Sequence, residues 1–192
     1  MLLTEFDANR QAIINPEALH EPLEGFPKIA VSCFSRFTFQ RMLEMFPHEL
    51  IYETSMANVA IPIYKLVIDD NELAIFNAPV GASACVGILE DIFALGADKL
   101  VLFGTCGVLD EDIKETSIII PSHALRDEGT SFHYVEASDE IAVNVGVLDH
   151  FRSYLNERQI SHKEGKVWTT DGIYRETNGK LKARKAAGAI CV

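Results

Sequence analysis

Two stretches between Lys99 and Tyr134 contain residues that could bind a small polar ligand. In the first, Gly104-Thr105-Cys106-Gly107 follows the apolar run Leu100–Phe103. The run is typical of a strand buried on both faces, and two glycines permit a sharp turn with close ligand approach. Thr105 would then place a hydroxyl at the carboxyl end of a strand, where open α/β sheets bind ligands. A tight turn without any ligand would explain the same residues.

The second stretch follows a predicted buried strand, Ile118–Pro121, and is unusually polar for a loop. Its side chains could hydrogen-bond a ligand, or they could pair with one another at the surface. They are Arg126, Asp127, Glu128, Ser131, His133 and Tyr134.

The elements that must position these residues alternate between strands and helices. The predicted strands are Lys28–Ser32, Leu50–Tyr52, Ala60–Ile68, Leu73–Pro79, Leu100–Phe103, Ile118–Pro121, Lys166–Thr170 and Gly188–Val192. The predicted helices are Arg36–Phe46, Ala82–Leu95, Asp139 to about Gln159, and Lys180–Ala187. Ser35 is the predicted N-cap of the first helix, and Gly96 the C-cap of the second. This order predicts an α/β fold with a twisted mixed sheet flanked by helices.

Length and composition limit the protein classes that fit. A chain of 192 residues is long enough for one sizeable core, and we expect a single domain over residues 28–192 after a proline-broken N-terminal arm over residues 1–27. The net charge of −11 argues against nucleic-acid binding. Four scattered cysteines suit a reducing cytoplasm. Neither a secretory signal nor a run of membrane-spanning length is visible, so we expect a cytoplasmic protein without a membrane partner.

Residues 104–107 and 126–134 together resemble sequences of the nucleoside phosphorylases of the uridine and hexameric purine type. The resemblance covers nearly the whole chain after the N-terminal arm. It implies a nucleoside phosphorylase-like α/β fold, a homo-oligomer (dimer or hexamer), no cofactor or metal, and inorganic phosphate as co-substrate. The family's ribose-binding Met-Glu pair and its catalytic acid would lie beyond Val192. We therefore expect a C-terminally incomplete chain whose catalytic acid is unknown.

The resemblance also implies which residues bind each substrate. Phosphate would contact Ser32, Arg36 and Thr105, and an arginine can bind phosphate through a bidentate fork. The nucleoside would contact Thr105, Cys106, Gly107, Ile173, Tyr174 and Val192. Possible further site residues are His20, Arg126 and His133. A surface arginine in the first turn of a helix, and structural histidines, are the alternatives for Arg36 and the two histidines.

The chain departs from the family at the phosphate site. Leu102 stands where the family has a second phosphate-binding arginine, and Ser32-Cys33-Phe34 replaces its Gly-Asp-Pro turn. Each lost charge-assisted bond removes roughly 1.5–3 kcal/mol of binding. Three functions therefore remain: a phosphorylase that favours a uridine-like nucleoside but could take a purine nucleoside, a nucleosidase that uses water, and a nucleoside-binding protein without catalysis.

Overall fold

The computed structural model describes residues 2–114 and 118–192. They form two compact units. Unit 1 combines the N-terminal residues up to Ala8 with the stretch from Cys106 to Val192, and unit 2 is Asn9–Thr105. The predicted boundary between an arm and a domain at residue 27 stays a prediction.

Unit 2 contains a five-stranded mixed sheet. Its strands are β1 (Ile29–Cys33), β2 (His48–Met56), β3 (Val59–Ile68), β4 (Asn71–Asn77) and β5 (Lys99–Phe103). The order is β2-β3-β4-β1-β5. Strand β1 is parallel to both β4 and β5, whereas β3 is antiparallel to β2 and β4. The mixed sheet predicted from the sequence is therefore present in this unit.

Two helices of unit 2 begin and end close to the predicted residues. Helix α1 spans Arg36–Met45, and the Ser35 hydroxyl accepts a 3.2 Å hydrogen bond from the Thr38 amide at its N-terminus. Helix α2 spans Ala82–Leu95 and ends at Gly96, whose φ of +129° only glycine adopts without strain. The core of this unit lies between α2 and the sheet. Its fully buried side chains include Ile63, Phe76, Ile88, Ile92 and Leu95.

Unit 1 contains a second, four-stranded sheet. Its elements are β6 (Ile118–Asp127), β7 (Glu140–Ala142), α3 (Val145–Glu157), β8 (His162–Thr170), α4 (Asn178–Ala186) and β9 (Ala189–Cys191). The strand order is β7-β6-β8-β9, with β8 parallel to both β6 and β9. Leu125, Trp168 and Ala189 are buried together against this sheet.

The predicted helix beginning at Asp139 is wrong in its first residues. Residues 140–142 instead form β7, which pairs with β6 through the register His123–Ala142. Helix α3 begins only at Val145, because the Asn144 side chain accepts a hydrogen bond from the Val147 amide at 3.2 Å. Asparagine is among the strongest N-caps, so this local bond sets the start of the helix.

The predicted burial of β5 on both faces is also wrong, although the strand itself is present. Leu102 is 39% exposed and Phe103 is 42% exposed. Within residues 2–114 and 118–192, strand β5 lies at the edge of its sheet and pairs with β1 alone. An edge strand has a neighbouring strand on one side alone. An apolar sequence therefore does not by itself show that a strand lies in the interior of the sheet.

None of the helices in residues 2–114 and 118–192 combines the length and the apolar character that a membrane span requires.

Candidate functional site

Two of the predicted phosphate-binding residues follow neighbouring parallel strands of unit 2. Cys33 at the end of β1 is level with Phe103 at the end of β5. The Phe34 amide continues this pairing by donating a 3.3 Å hydrogen bond to the Phe103 carbonyl oxygen. Arg36 and Thr105 therefore follow these strands at the same edge of the sheet, the edge where α/β sheets bind ligands.

Arg36 places an exposed positive charge at this edge of the unit 2 sheet. It is the first residue of α1 and is exposed. Within the described part of the chain its guanidinium has neither a hydrogen bond nor an ion pair. A helix N-terminus carries a partial positive charge and free N–H groups. Arg36 and the start of α1 therefore both favour an anion in this region.

An aromatic ring lies beside the glycine that opens the predicted ligand turn. A β-carbon placed on Gly104 would be 3.0 Å from Cδ2 of Phe34, so the ring already contacts this backbone. Only glycine fits here without displacing the ring. Leu102, two residues earlier, is partly exposed. Phe34 and Leu102 therefore provide no charge for an anion near Gly104. An anion bound here would depend on Arg36 for a positive charge.

The structure gives Ser32 a structural role. Its side chain is fully buried. Its hydroxyl donates to the Phe76 carbonyl oxygen at 2.9 Å and accepts from the Ala78 amide at 3.0 Å. These bonds join β1 to the end of β4. We therefore remove the Ser32 side chain from the set of proposed phosphate ligands.

His20 also has partners that the sequence did not indicate. Its Nδ1 lies 3.1 Å from the Tyr52 hydroxyl, and its Nε2 lies 3.0 Å from a carboxylate oxygen of Asp91. The other Asp91 oxygen accepts a 2.7 Å hydrogen bond from the Thr54 hydroxyl. An imidazole has two nitrogens, and both are used. Both ring nitrogens of His20 therefore have partners within unit 2, and its possible role in a site stays a prediction.

In unit 1 the structure pairs two residues predicted to bind the nucleoside. Gly107 and Val192 each donate a backbone hydrogen bond of 2.8 Å to the other. A β-carbon on Gly107 would be 3.2 Å from Cγ1 of Val192, so a larger residue would crowd this pair. Cys106, the preceding residue, is exposed. Cys106 and Gly107 therefore lie in a short segment whose backbone is held against the end of β9.

Ile173 and Tyr174 lie in a single helical turn, Ile173–Arg175. They are 71% and 93% exposed. Their apolar surfaces are therefore accessible to a ligand, and aromatic and aliphatic side chains of this kind commonly line ligand sites. Their predicted role against the nucleoside base stays a prediction.

Arg126 is held inside unit 1 and is not available to a ligand. Its Nε donates to the Ser131 hydroxyl at 2.9 Å, and its Nη1 donates to the Glu136 carbonyl oxygen at 2.8 Å and to the Ser138 hydroxyl at 2.9 Å. The guanidinium lies 3.8 Å from the centre of the Phe132 ring. The possible site role of Arg126 is therefore replaced by a structural one, because its donors hold residues 131–138 in place.

His133, at the end of the turn Thr130–His133, is exposed. Its imidazole has no hydrogen-bond or ion-pair partner among residues 2–114 and 118–192. Its possible role in a site stays a prediction.

Asp127 is the centre of a charged cluster that sequence reasoning missed. Its carboxylate accepts 3.0 Å and 2.9 Å hydrogen bonds from the Trp168 indole and the Lys180 ammonium, and Arg184 lies 3.4 Å away. Burial acts to raise the pKa of Asp127, but these hydrogen bonds and the two positive charges outweigh it and lower the pKa. The carboxylate therefore stays ionised and ties α4 to the ends of β6 and β8.

A surface cleft of unit 1 is not lined by any of the predicted site residues. In the described ranges, no group of three or more His, Cys, Asp or Glu side chains could hold a metal ion. The cleft, of about 440 Å³, is lined by Asp110, Glu111 and Asp112 together with Lys185 and residues 188–190. Its acidic lining would repel phosphate, so we do not assign it to the candidate site.

Comparison with solved structures identifies the class of fold. The crystal structure of uridine phosphorylase from Vibrio fischeri superposes with a TM-score of 0.75 over 94% of this chain and 76% of that chain, at 18% identity. Purine nucleoside phosphorylase from Toxoplasma gondii superposes with a TM-score of 0.73 at 16% identity, over 86% of this chain and 66% of that one. The predicted nucleoside phosphorylase-like α/β fold is thus confirmed.

Comparison of sequences identifies the family. A model of the phosphorylase superfamily matches residues 28–192. The DeoD-type purine nucleoside phosphorylase of Brevibacillus brevis is 31% identical over 83 residues, which are 43% of this chain and 35% of that protein. The match covers most of the chain, so the protein belongs to the nucleoside phosphorylase family within this superfamily. The chain spans about a third to a half of the length of the curated relatives it matches.

Proposed function

We propose that the protein is a pentosyltransferase that cleaves a nucleoside with inorganic phosphate, releasing the free base and ribose 1-phosphate. A uridine-like nucleoside is favoured, and a purine nucleoside is possible. The observation that carries the proposal is the free guanidinium of Arg36 at the same sheet edge as Thr105. Family membership supports it.

The proposed reaction is a substitution at the anomeric carbon of the ribose. A phosphate oxygen forms a bond to that carbon as the bond to the base breaks, and the sugar becomes positively charged in the transition state. Arg36 and the N-terminus of α1 bind and orient the phosphate dianion, and the Thr105 hydroxyl hydrogen-bonds it. Cys106, Gly107, Val192, Ile173 and Tyr174 contact the nucleoside in this proposal.

A second candidate function is hydrolysis of a nucleoside, and one observation favours it. The Phe34 ring lies against Gly104, and Leu102 is partly exposed nearby. Apolar groups at this edge desolvate an anion without compensating it, whereas a water molecule is desolvated at much lower cost. A chain that uses water would release free ribose in place of ribose 1-phosphate.

The test is cleavage of uridine and inosine by the protein, with and without inorganic phosphate, followed by analysis of the sugar product. Base release that requires phosphate and yields ribose 1-phosphate would support the proposal and identify the preferred base. Release at equal rates without phosphate, yielding ribose, would support the hydrolase. Binding of nucleoside without release would point to the third possibility, a binding protein without catalysis.

We also propose that the protein is a cytoplasmic homo-oligomer, a dimer or a hexamer. Large apolar side chains of unit 2 are exposed, including Phe37 at 74% and Val80 at 82%. Exposed apolar surface of this kind often marks an interface. The cysteines Cys33, Cys85, Cys106 and Cys191 are free thiols, as in proteins of reducing compartments. Light scattering coupled to size exclusion would give the number of subunits.

A further inference from the structure

Two cysteines of unit 1 are brought together by the strand pairing at the end of β9. Val108 lies opposite Cys191 in an antiparallel bridge, next to the hydrogen-bonded pair Gly107 and Val192. Residues two apart on an extended chain point to the same face. Cys106, two residues before Val108, therefore lies on the same side of this pairing as Cys191, and it is close enough to raise the pKa of the Cys191 thiol.

The two thiols differ in access to solvent. Cys191 is 1% exposed, whereas Cys106 is exposed and lies in a stretch without regular secondary structure. Burial and the adjacent Cys106 raise the pKa of the Cys191 thiol to about 12, so it keeps its proton at neutral pH. A small oxidant would therefore react first at Cys106, because reactivity requires access and a thiolate.

We propose that Cys106 and Cys191 are a reversible disulfide site that closes when the protein meets a hydroperoxide. The Cys106 thiolate attacks one oxygen of hydrogen peroxide. A sulfur–oxygen bond forms, the oxygen–oxygen bond breaks, and the leaving hydroxide takes the proton released by Cys106 to become water.

The second step closes the bond. The Cys191 sulfur attacks the sulfenic sulfur of Cys106, the sulfur–oxygen bond breaks, and the departing hydroxide takes the Cys191 proton as a second water. Two thiols are oxidised and one peroxide is reduced to two waters. A thiol reductant restores the two thiols by thiol–disulfide exchange. The irregular segment before Gly107 supplies the small backbone movement that disulfide geometry requires.

Closure would have a functional consequence that rests on the proposed function. Cys106, Gly107 and Val192 are among the residues that we propose contact the nucleoside, and the disulfide would fix them to one another. The Cys106 thiol would also be lost from the surface offered to the ligand. We expect the oxidised protein to bind nucleoside at least several-fold more weakly than the reduced protein.

The first experiment tests the disulfide without reference to activity. The full chain is treated with hydrogen peroxide, remaining thiols are alkylated, and a non-reducing digest is analysed by mass spectrometry. We expect a peptide pair joined through Cys106 and Cys191, and its disappearance after reduction with dithiothreitol. The Cys106→Ser variant should lack the joined pair. The Cys85→Ala variant should retain it, since Cys85 is buried in α2 and burial raises its pKa.

Two results would overturn the proposed site. One is the detection of alkylated Cys191 together with Cys106 oxidised to sulfinic or sulfonic acid, because Cys191 then kept its free thiol during oxidation. The other is a disulfide that joins two chains through Cys106 alone.

A second experiment compares nucleoside affinity before and after oxidation by calorimetry. Equal affinities in the two forms would contradict the expected functional consequence. They would leave the mapped disulfide intact as a modification site. An absence of nucleoside binding by the reduced protein would count against the proposed function and not against the disulfide.

Discussion

The amide nitrogen of Phe34 donates a 3.3 Å hydrogen bond to the carbonyl oxygen of Phe103. This bond joins the ends of β1 and β5 beyond their regular pairing. Arg36 and Thr105 therefore share an edge, even though they are far apart in the sequence. In the proposed phosphate site, the charge of Arg36 and the hydroxyl of Thr105 therefore come from two different strand ends.

Arg36 should control the affinity for phosphate. The Arg36→Ala variant loses a charge-assisted partner of the anion, so we expect a loss of about 1.5–3 kcal/mol in phosphate binding. That loss corresponds to a rise in the KM for phosphate of about 10-fold to 150-fold. Steady-state rates at varied phosphate check this, with the exposed Arg41 of the same helix replaced by Ala as the control. A similar rise in both variants would contradict a specific role for Arg36.

Ser32 should matter for stability and not for phosphate. The Ser32→Ala variant leaves the Phe76 carbonyl and the Ala78 amide without their buried partner, which costs about 1–3 kcal/mol. Urea denaturation measures this difference. The exposed Ser83, replaced by Ala, is the control and should change stability by less than about 0.5 kcal/mol. A raised KM for phosphate at unchanged stability would return Ser32 to the ligand site.

Arg126 should hold the segment of residues 131–138. The Arg126→Met variant removes a buried network of hydrogen bonds, so we expect a loss of about 2–4 kcal/mol in the free energy of unfolding. Hydrogen exchange should rise first in this segment. Arg158, whose guanidinium lies over the exposed ring of Tyr154, is the matched control and its replacement by Met should have little effect. Unchanged exchange in residues 131–138 would show that the network is not what orders them.

Asp127 should make unit 1 sensitive to acid. Its pKa is lower in the folded protein than in the unfolded chain. The stability that it contributes is therefore present above the unfolded pKa of about 3.9 and is lost as the pH falls through the lower folded value. We expect Asp127→Asn to be less stable than the unmodified protein at pH 7, and the difference between them to shrink below about pH 4.

Chemical denaturation of both proteins across this range measures the effect of Asp127. Glu176→Gln serves as the control, because Glu176 is an exposed carboxylate of the same unit. A difference that stays constant down to the lowest pH would contradict the assigned role of the Asp127 charge.

Features with local causes were predictable from the sequence. The start of α1 follows from Ser35, whose hydroxyl caps the helix within one turn, and the end of α2 follows from Gly96. The start of this helix was predicted too early, at Asp139, because Asp and Asn both occur at helix starts, whereas the N-cap in the structure is Asn144. The choice between them depends on β7 pairing with β6, which is a tertiary contact.

Sequence reasoning did not foresee hydrogen bonds and ion pairs whose partner is distant in the sequence. The residues around His20 give no sign that its ring contacts Asp91 and Tyr52. The residues around Ser32 likewise give no sign that its hydroxyl bonds the Phe76 carbonyl oxygen. The polar run from Arg126 was recognised, but its residues bond mainly within unit 1. A polar pattern shows that hydrogen bonds are needed, and it does not show whether a ligand or the protein supplies them.

The make-up of unit 1 has a consequence for how the chain is synthesised. Unit 2 is one continuous stretch, so all its residues are available once Thr105 has left the ribosome. Unit 1 takes residues from two separate stretches, and Leu3 in the first of them lies beside Gly129 in the second. Residues 2–8 must therefore wait for the stretch from Cys106 onward before they reach their partners. A peptide fused directly before Leu2 should thus slow the maturation of unit 1 while leaving unit 2 unaffected.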